Sequence, residues 1–104
     1  MKHQVILVAE AEEQLHRANE WWASNRMSAP VLLIDEFEWS VSLLEEMPGI
    51  GAKFQRATIP GTRRILLRKS NHWVYYTIDP EHAVVYVLAI WSALRGSDPP
   101  LERR

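Results

Sequence analysis

The spacing of apolar positions changes twice along this chain, and each change marks a different kind of element. Residues 4–8 form a short apolar, partly β-branched run that predicts a strand. After it, Ala11, Leu15, Ala18 and Trp22 recur at spacings of four, three and four. At about 100° per residue this places them on one helical face, with Glu12, Glu13 and Arg17 on the others. The pattern predicts a first helix ending near Asn25.

A second helix follows after a short connection. Ser28 and Pro30 suit an N-cap region and first turn, and Leu33, Phe37, Val41 and Leu44 then repeat at four, four and three until Pro48-Gly49. Brief linkage between two such segments favours an antiparallel helical hairpin. The second helix also carries Leu32, Trp39 and Leu43 as another apolar stripe, roughly 130° from the first. A single sheet does not readily cover both stripes. Trp39 therefore either widens the core against the first helix or belongs to a docking surface for another chain.

Beyond the Pro48-Gly49-Ile50-Gly51 loop the period becomes two. Ile65 and Leu67 alternate with Arg64, Leu66 and Arg68, and Ser70-Asn71 provides a turn into residues 73–78. Asp79-Pro80-Glu81-His82 is a second turn. Residues 84–91 are apolar at nearly every position, as expected of a central strand buried on both faces. The order is β-α-α-β-β-β, an α+β fold in which a helical hairpin packs on one face of a mainly antiparallel sheet. The other face is left for solvent or a partner.

Composition narrows this picture. A chain of 104 residues with 47% apolar residues supports one globular core, expected over residues 1–96, with residues 97–104 as a flexible tail after Asp98-Pro99-Pro100. There are no cysteines, which removes disulfides and thiolate metal ligands and suits a reducing cytosol. The longest apolar run falls short of the roughly 18 residues of a membrane span, and the N-terminal stretch is too brief for a signal peptide, so the expectation is a soluble cytoplasmic protein. Net charge is −1, but residues 53–69 carry Lys53, Arg56, Arg63, Arg64, Arg68 and Lys69 without an acid, whereas the helices are acidic. The molecule should be two-sided.

Taken in order, Pro48-Gly49-Ile50-Gly51, Arg64-Ile65-Leu66, Val74-Tyr75-Tyr76, residues 84–90 and Trp91-Ser92-Ala93-Leu94-Arg95 resemble the RelE/ParE superfamily of bacterial toxins. The resemblance runs nearly the full length to Gly96. Trp91 departs from it, standing where many relatives have a His. What the resemblance implies is a toxin of a type II toxin–antitoxin module of the plasmid-stabilisation kind, held inactive by a cognate antitoxin in a hetero-oligomer. Part of the antitoxin contact would fall on the helix pair, with Trp21, Leu32, Trp39 and Leu43 as candidates and the two Trp as anchors.

The two branches of the superfamily ask different things of the residues. RelE-type toxins cleave mRNA on the ribosome without a metal, which needs a proton acceptor, a proton donor and cations for the phosphorane. Arg64 and Arg95 match the arginine positions of the pattern, and Lys53 and Arg56 lie in the loop where such enzymes carry lysines. No Tyr or His follows Arg95, so His72 or Tyr75 would have to serve, and only if the sheet brings one of them beside Arg64 and Arg95. ParE-type toxins bind DNA gyrase and require only a basic, adaptable surface, here Lys53, Arg56, Arg63, Arg64 and Arg95. The missing acid favours the ParE-like branch, with the ribosome-dependent nuclease as alternative and a toxin fold without toxicity as a third possibility. Arg68 and Lys69, beside the turn, read as charges that solvate an edge.

Other chemistries find little support. His3, His16, His72 and His82 show no paired metal-ligand spacing, so neither metal nor cofactor is expected. Gly49-Ile50-Gly51 lacks the Lys-Ser/Thr of a phosphate loop and follows a helix, so its glycines read as helix terminators. Trp73, Tyr75, Tyr76 and Tyr86 could stack on bases, although aromatics at alternating strand positions usually belong to the core.

Overall fold

The computed structural model describes residues 2–101. Strand β1 (Gln4–Leu7) leads into helix α1 (Ala9–Asn25), helix α2 (Leu32–Glu46) and a single 3₁₀ turn (Pro48–Ile50). Strands β2 (Ala52–Lys53), β3 (Arg63–Leu67), β4 (His72–Asp79) and β5 (Val84–Ser92) complete the chain. They form one five-stranded sheet in the order β1-β5-β4-β3-β2. All neighbours are antiparallel except β1 and β5, which pair in parallel, and the helical hairpin carries the chain from β1 at one edge of the sheet to β2 at the other. The α+β hairpin-on-sheet expectation therefore holds. Strand β2 is additional: two residues are too few to display a period, and only the pairing of Ala52 and Lys53 with Arg64 and Arg63 defines it.

The start of α2 differs from expectation. The helix begins at Leu32 behind Val31, which caps it with no side-chain bond, and Ser28 lies in the preceding turn. Pro30 disfavours helical backbone at Ala29. The Ala29 carbonyl is in any case occupied by the Trp22 indole N–H at 2.9 Å and the Leu32 N–H at 3.2 Å. Residues 26–31 are thereby tied back onto α1 instead of entering the helix.

One face of the sheet carries the main core. Ala11 and Trp22 of α1 and Leu33 and Phe37 of α2 bury against Leu67, Val74, Val87 and Ile90, and Leu44 packs with Tyr76 and Val85. Full burial of such side chains contributes roughly 1.5–3 kcal/mol each. Leu32 joins this core from its edge, whereas Trp39 remains 56% exposed, so Trp39 does not widen it. Strand β5 outruns β1, and its edge amide at Ile90 is taken by the Gln14 side chain of α1 at 2.9 Å. Opposite the helices, Phe54, Tyr75 and Ala89 form a smaller cluster with Trp73, Trp91 and Leu101.

A slip in the β4–β5 register decides which side chains reach that second face. Tyr75 pairs with Ala89 but Tyr76 pairs with Val87, so Leu88 is the extra residue of a bulge. Before it Val85 and Val87 face the helices; after it Ile90 does, and Trp91 stands opposite Trp73 on the other side.

Gly51 is not a helix terminator, contrary to the sequence reading. Helix α2 ends at Glu46 with Met47 as its C-cap ahead of Pro48, and Gly51 has φ −70°, open to any residue. Its need is space. A Cβ there would lie 2.5 Å from the Tyr76 hydroxyl and 2.9 Å from the Arg64 carbonyl oxygen. The Gly51 N–H donates to the Tyr76 hydroxyl at 2.8 Å, which itself donates to the Pro48 carbonyl at 2.6 Å. Burial pushes the Tyr76 phenol upward in pKa. Arg63 then donates to the Gly51 carbonyl at 2.8 Å, so the loop after α2 is fastened to β3 and β4.

A carboxylate fastens the other end of α2. Glu36 accepts the Lys69 N–H at 2.8 Å, the Ser70 N–H at 2.9 Å and the Ser70 hydroxyl at 2.7 Å, closing the turn in which Asn71 takes φ 57°.

Two stability predictions follow from these fastenings. Gly51→Ala should destabilise by about 1–3 kcal/mol in chemical denaturation, the usual cost of overpacking. Adding Tyr76→Phe, which removes the obstructing hydroxyl, should make the double variant less destabilised than the sum of the singles. Glu36→Ala should cost about 1–3 kcal/mol by leaving turn donors unpaired, and equality with the wild type in the same measurement would refute that role.

Candidate functional site

The face opposite the helices is where the sheet presents chemistry. Strands β3, β4 and β5 bring Arg64, Trp73, Tyr75 and Trp91 side by side, since Arg64 pairs with Tyr75 and Trp73 with Trp91 in the ladders. These residues, with Ser92, Ala93, Arg95, Gly96, Ser97 and Asp98 at the end of β5, line an open recess. Its positive charges rest on aromatic rings. The Arg64 guanidinium sits 3.8 Å from the Trp73 ring centroid and 4.8 Å from that of Phe54, and it donates to the Tyr75 hydroxyl at 3.1 Å. Arg95 lies 4.2 Å over Trp91, and Arg56 lies 4.9 Å over Phe54. Stacking holds a guanidinium in place while leaving donors free for an anion.

One carboxylate stands among these cations. Asp98 accepts from Arg56 Nε at 3.2 Å and Nη2 at 3.3 Å, a two-bond pairing. The Arg56 hydrogen bond, with the charges of Arg56 and Arg64, holds the Asp98 carboxyl below its usual range, and the same bond raises Arg56. The Trp91 indole N–H donates to the Ser97 carbonyl at 2.9 Å, Pro99 is buried and Leu101 packs on the Phe54 and Tyr75 cluster. Residues 97–101 of the expected flexible tail thus lie against this face; residues 102–104 of that tail fall outside the described residues.

Of the candidates from sequence, Arg64, Tyr75 and Arg95 come together in the recess and Arg56 stands at its rim. Lys53 is exposed on β2 and Arg63 is engaged by the Gly51 carbonyl, so neither lines it. His72 turns the other way, its ring edge-on to Trp22 at 6.4 Å, and burial lowers its pKa. On the helices Trp21 is 51% exposed, like Trp39, whereas Leu32 and Leu43 are half-buried. Sequence reasoning did not single out Asp98 or Phe54. Asp98 carried a signal of its own, an acid two residues beyond Gly96 and before two prolines, which was read as the end of the fold.

As chemistry, the recess is suited to holding an anion. Tyr75 contributes a hydroxyl, but the residue is 1% exposed and its oxygen already accepts from Arg64. Asp98, depressed in pKa and paired with Arg56, is a poor proton acceptor near neutral pH. Among the described residues no group of three or more His, Asp or Glu is placed to hold a metal ion, and no helix is long and apolar enough to cross a membrane.

Similar proteins place the whole arrangement in a family. The fold is similar to that of the RelBE2 toxin–antitoxin complex of Mycobacterium tuberculosis, with TM-score 0.65, 22% identity and coverage of 88% of this chain and 99% of that one. It is similar too to the chromosomal ParDE toxin–antitoxin system of P. aeruginosa, with TM-score 0.69, 13% identity and coverage of 88% and 96%. The E. coli RelBE complex gives TM-score 0.60 at 20% identity, covering 89% and 99%. A search of curated proteins found no match. At these identities the structures speak for the fold alone, but the sequence model described as ParE toxin of type II toxin-antitoxin system, parDE, matches residues 5–95, from β1 to the recess arginine Arg95. The chain belongs to the ParE toxin family of type II toxin–antitoxin systems.

Proposed function

We propose that this toxin acts in the cytoplasm by binding DNA gyrase through the recess, and that a cognate antitoxin neutralises it. The observation that carries the target is the recess itself: guanidiniums stacked on aromatic rings, with no histidine among its lining and its one carboxylate, Asp98, paired with Arg56. Such a surface binds anionic or acidic groups without needing an acid–base pair. Arg64 and Arg95 form its centre and Arg56 its rim, while Lys53 and Arg63 extend the basic character toward β2. The match to the ParE toxin family model over residues 5–95 supports this reading, while the fold itself is shared with RelE-type toxins as well.

One observation favours a second reading. Tyr75 lies on Arg64 and in one recess with Arg95, the placement that a ribosome-dependent endonuclease of RelE type would require. In that case Tyr75 would move protons and the arginines would stabilise the phosphorane, whereas His72 faces away. Bacterial expression separates the readings. Gyrase poisoning gives nucleoid damage and an SOS response, nuclease action gives rapid translation arrest with cut transcripts, and unimpaired growth at high soluble expression identifies a toxin fold without toxicity.

For the antitoxin, the exposed Trp21 and Trp39 are the proposed anchors on the helices, with the half-buried Leu32 and Leu43 as further candidates. The named relatives come from toxin–antitoxin complexes, which supports a hetero-oligomer.

Arg64→Ala and Arg95→Ala should each weaken association with purified gyrase by about tenfold to a hundredfold, the range of a lost interface hot spot. Binding unchanged in both folded variants would remove the recess from target recognition. Trp39→Ala or Trp21→Ala should lower antitoxin affinity by at least about tenfold at an unchanged melting temperature, because both rings are exposed in the free toxin. Co-purification of the double variant at wild-type affinity would place the antitoxin elsewhere.

A further inference from the structure

Part of the wall and rim of the recess is built by the segment that follows β5. Past Gly96 the backbone turns back so that the Ser97 carbonyl receives the Trp91 indole N–H and the Asp98 carboxylate takes two bonds from Arg56. Pro99 is buried and Leu101 rests on the cluster of Phe54, Tyr75, Trp73 and Trp91. These contacts lie on the sheet face that carries Arg64 and Arg95, and Ser97 and Asp98 are themselves part of the lining. We propose that residues 97–101 are an autoinhibitory strap, with the Asp98 carboxylate standing in for the anionic group of the target and leaving when the target binds. The proposal rests on the reading of the recess as the target-binding surface.

The chemistry of the segment fits a part that must close readily and yet be displaced. Pro99 and Pro100 fix their own φ, and each restricts the residue before it to extended backbone, so residues 98–100 lose little entropy on docking. The attachments are individually weak. The Arg56–Asp98 pair is solvent-exposed, with side-chain exposures of 66% and 47%, and such pairs are readily exchanged for another anion. Leu101 supplies an apolar clasp that carries no charge. A binding site that is open only part of the time shows an affinity reduced by the open fraction, so loosening the strap should tighten binding without altering any contact to the target.

That expectation separates a strap from mere charge neutralisation. In the full-length protein at low salt, inorganic pyrophosphate serves as a small anionic probe in calorimetric titration. Asp98→Ala and Leu101→Ser should each bind it about five- to tenfold more tightly than the wild type, and exchange of the Trp91 indole proton with solvent, followed by NMR, should accelerate in both. Leu101→Ser decides the matter because it changes no charge. If only Asp98→Ala tightens binding, or if neither does, the strap is refuted. Leu101→Ala replaces the serine variant should that one reduce the folded fraction in thermal melts. Gyrase binding by the same proteins is read separately: failure of every form to bind gyrase while the pyrophosphate pattern holds would sink the gyrase target and leave the strap standing.

Discussion

The register slip in the β4–β5 ladder is the constraint on which the rest of this structure depends. Strict alternation along β5 would put Val85, Val87, Ala89 and Trp91 on one face, driving a large indole into the helix-covered core. Leu88, as the extra residue, reverses the alternation midway. Ile90 then fills the core beside Val87, and Trp91 faces out beside Trp73. Both faces gain a continuous apolar surface from one strand. Without the slip Arg95 would have no Trp91 ring beneath it on the recess side.

Given that face, the recess is built by packing more than by charge. Arg64 and Arg95 reside on aromatic rings, and Arg64 is further oriented by the Tyr75 hydroxyl, whose own ring packs edge-on to Phe54 at 5.0 Å. A stacked guanidinium has little rotamer freedom left to lose when an anion arrives, so less of the interaction is offset by ordering. This also reconciles a basic site with a chain whose net charge is −1. Local placement concentrates the cations on one face while the acids of α1 and α2 remain on the other, and the field that a target meets is that of the face.

Much of the architecture was legible because it is written in period. The apolar faces of α1 and α2 and the unbroken apolar run of β5 are packing statements, and Trp22, Phe37 and Val87 are found where those periods place them. Features that depend on a partner distant in sequence were not. Gly51 looked like a helix terminator because local sequence says nothing of the Tyr76 hydroxyl that leaves no room for a Cβ. Ser28 looked like a cap because nothing nearby announces that Trp22 will claim the Ala29 carbonyl. At the site, Arg64, Tyr75 and Arg95 could be proposed together because strand order brings them close, while the departure of His72 to the opposite face followed from a pleat whose phase the sequence leaves open.

The same reasoning explains why residues 97–101 read as a tail. Their attachments are a carboxylate to an arginine 42 residues earlier and a leucine to an aromatic cluster drawn from a loop and two strands. Proline pairs locally signal only that helix and sheet have stopped. In this chain they also stiffen a segment that has somewhere to go, because the sheet has left an apolar, arginine-rimmed face uncovered by helices. On the strap reading, a partner and residues 97–101 would compete for the same rings and the same guanidiniums. Leu101 packs on Tyr75 and Phe54, and both rings are buried, so on the strap reading a target would uncover apolar surface that the free protein keeps from water.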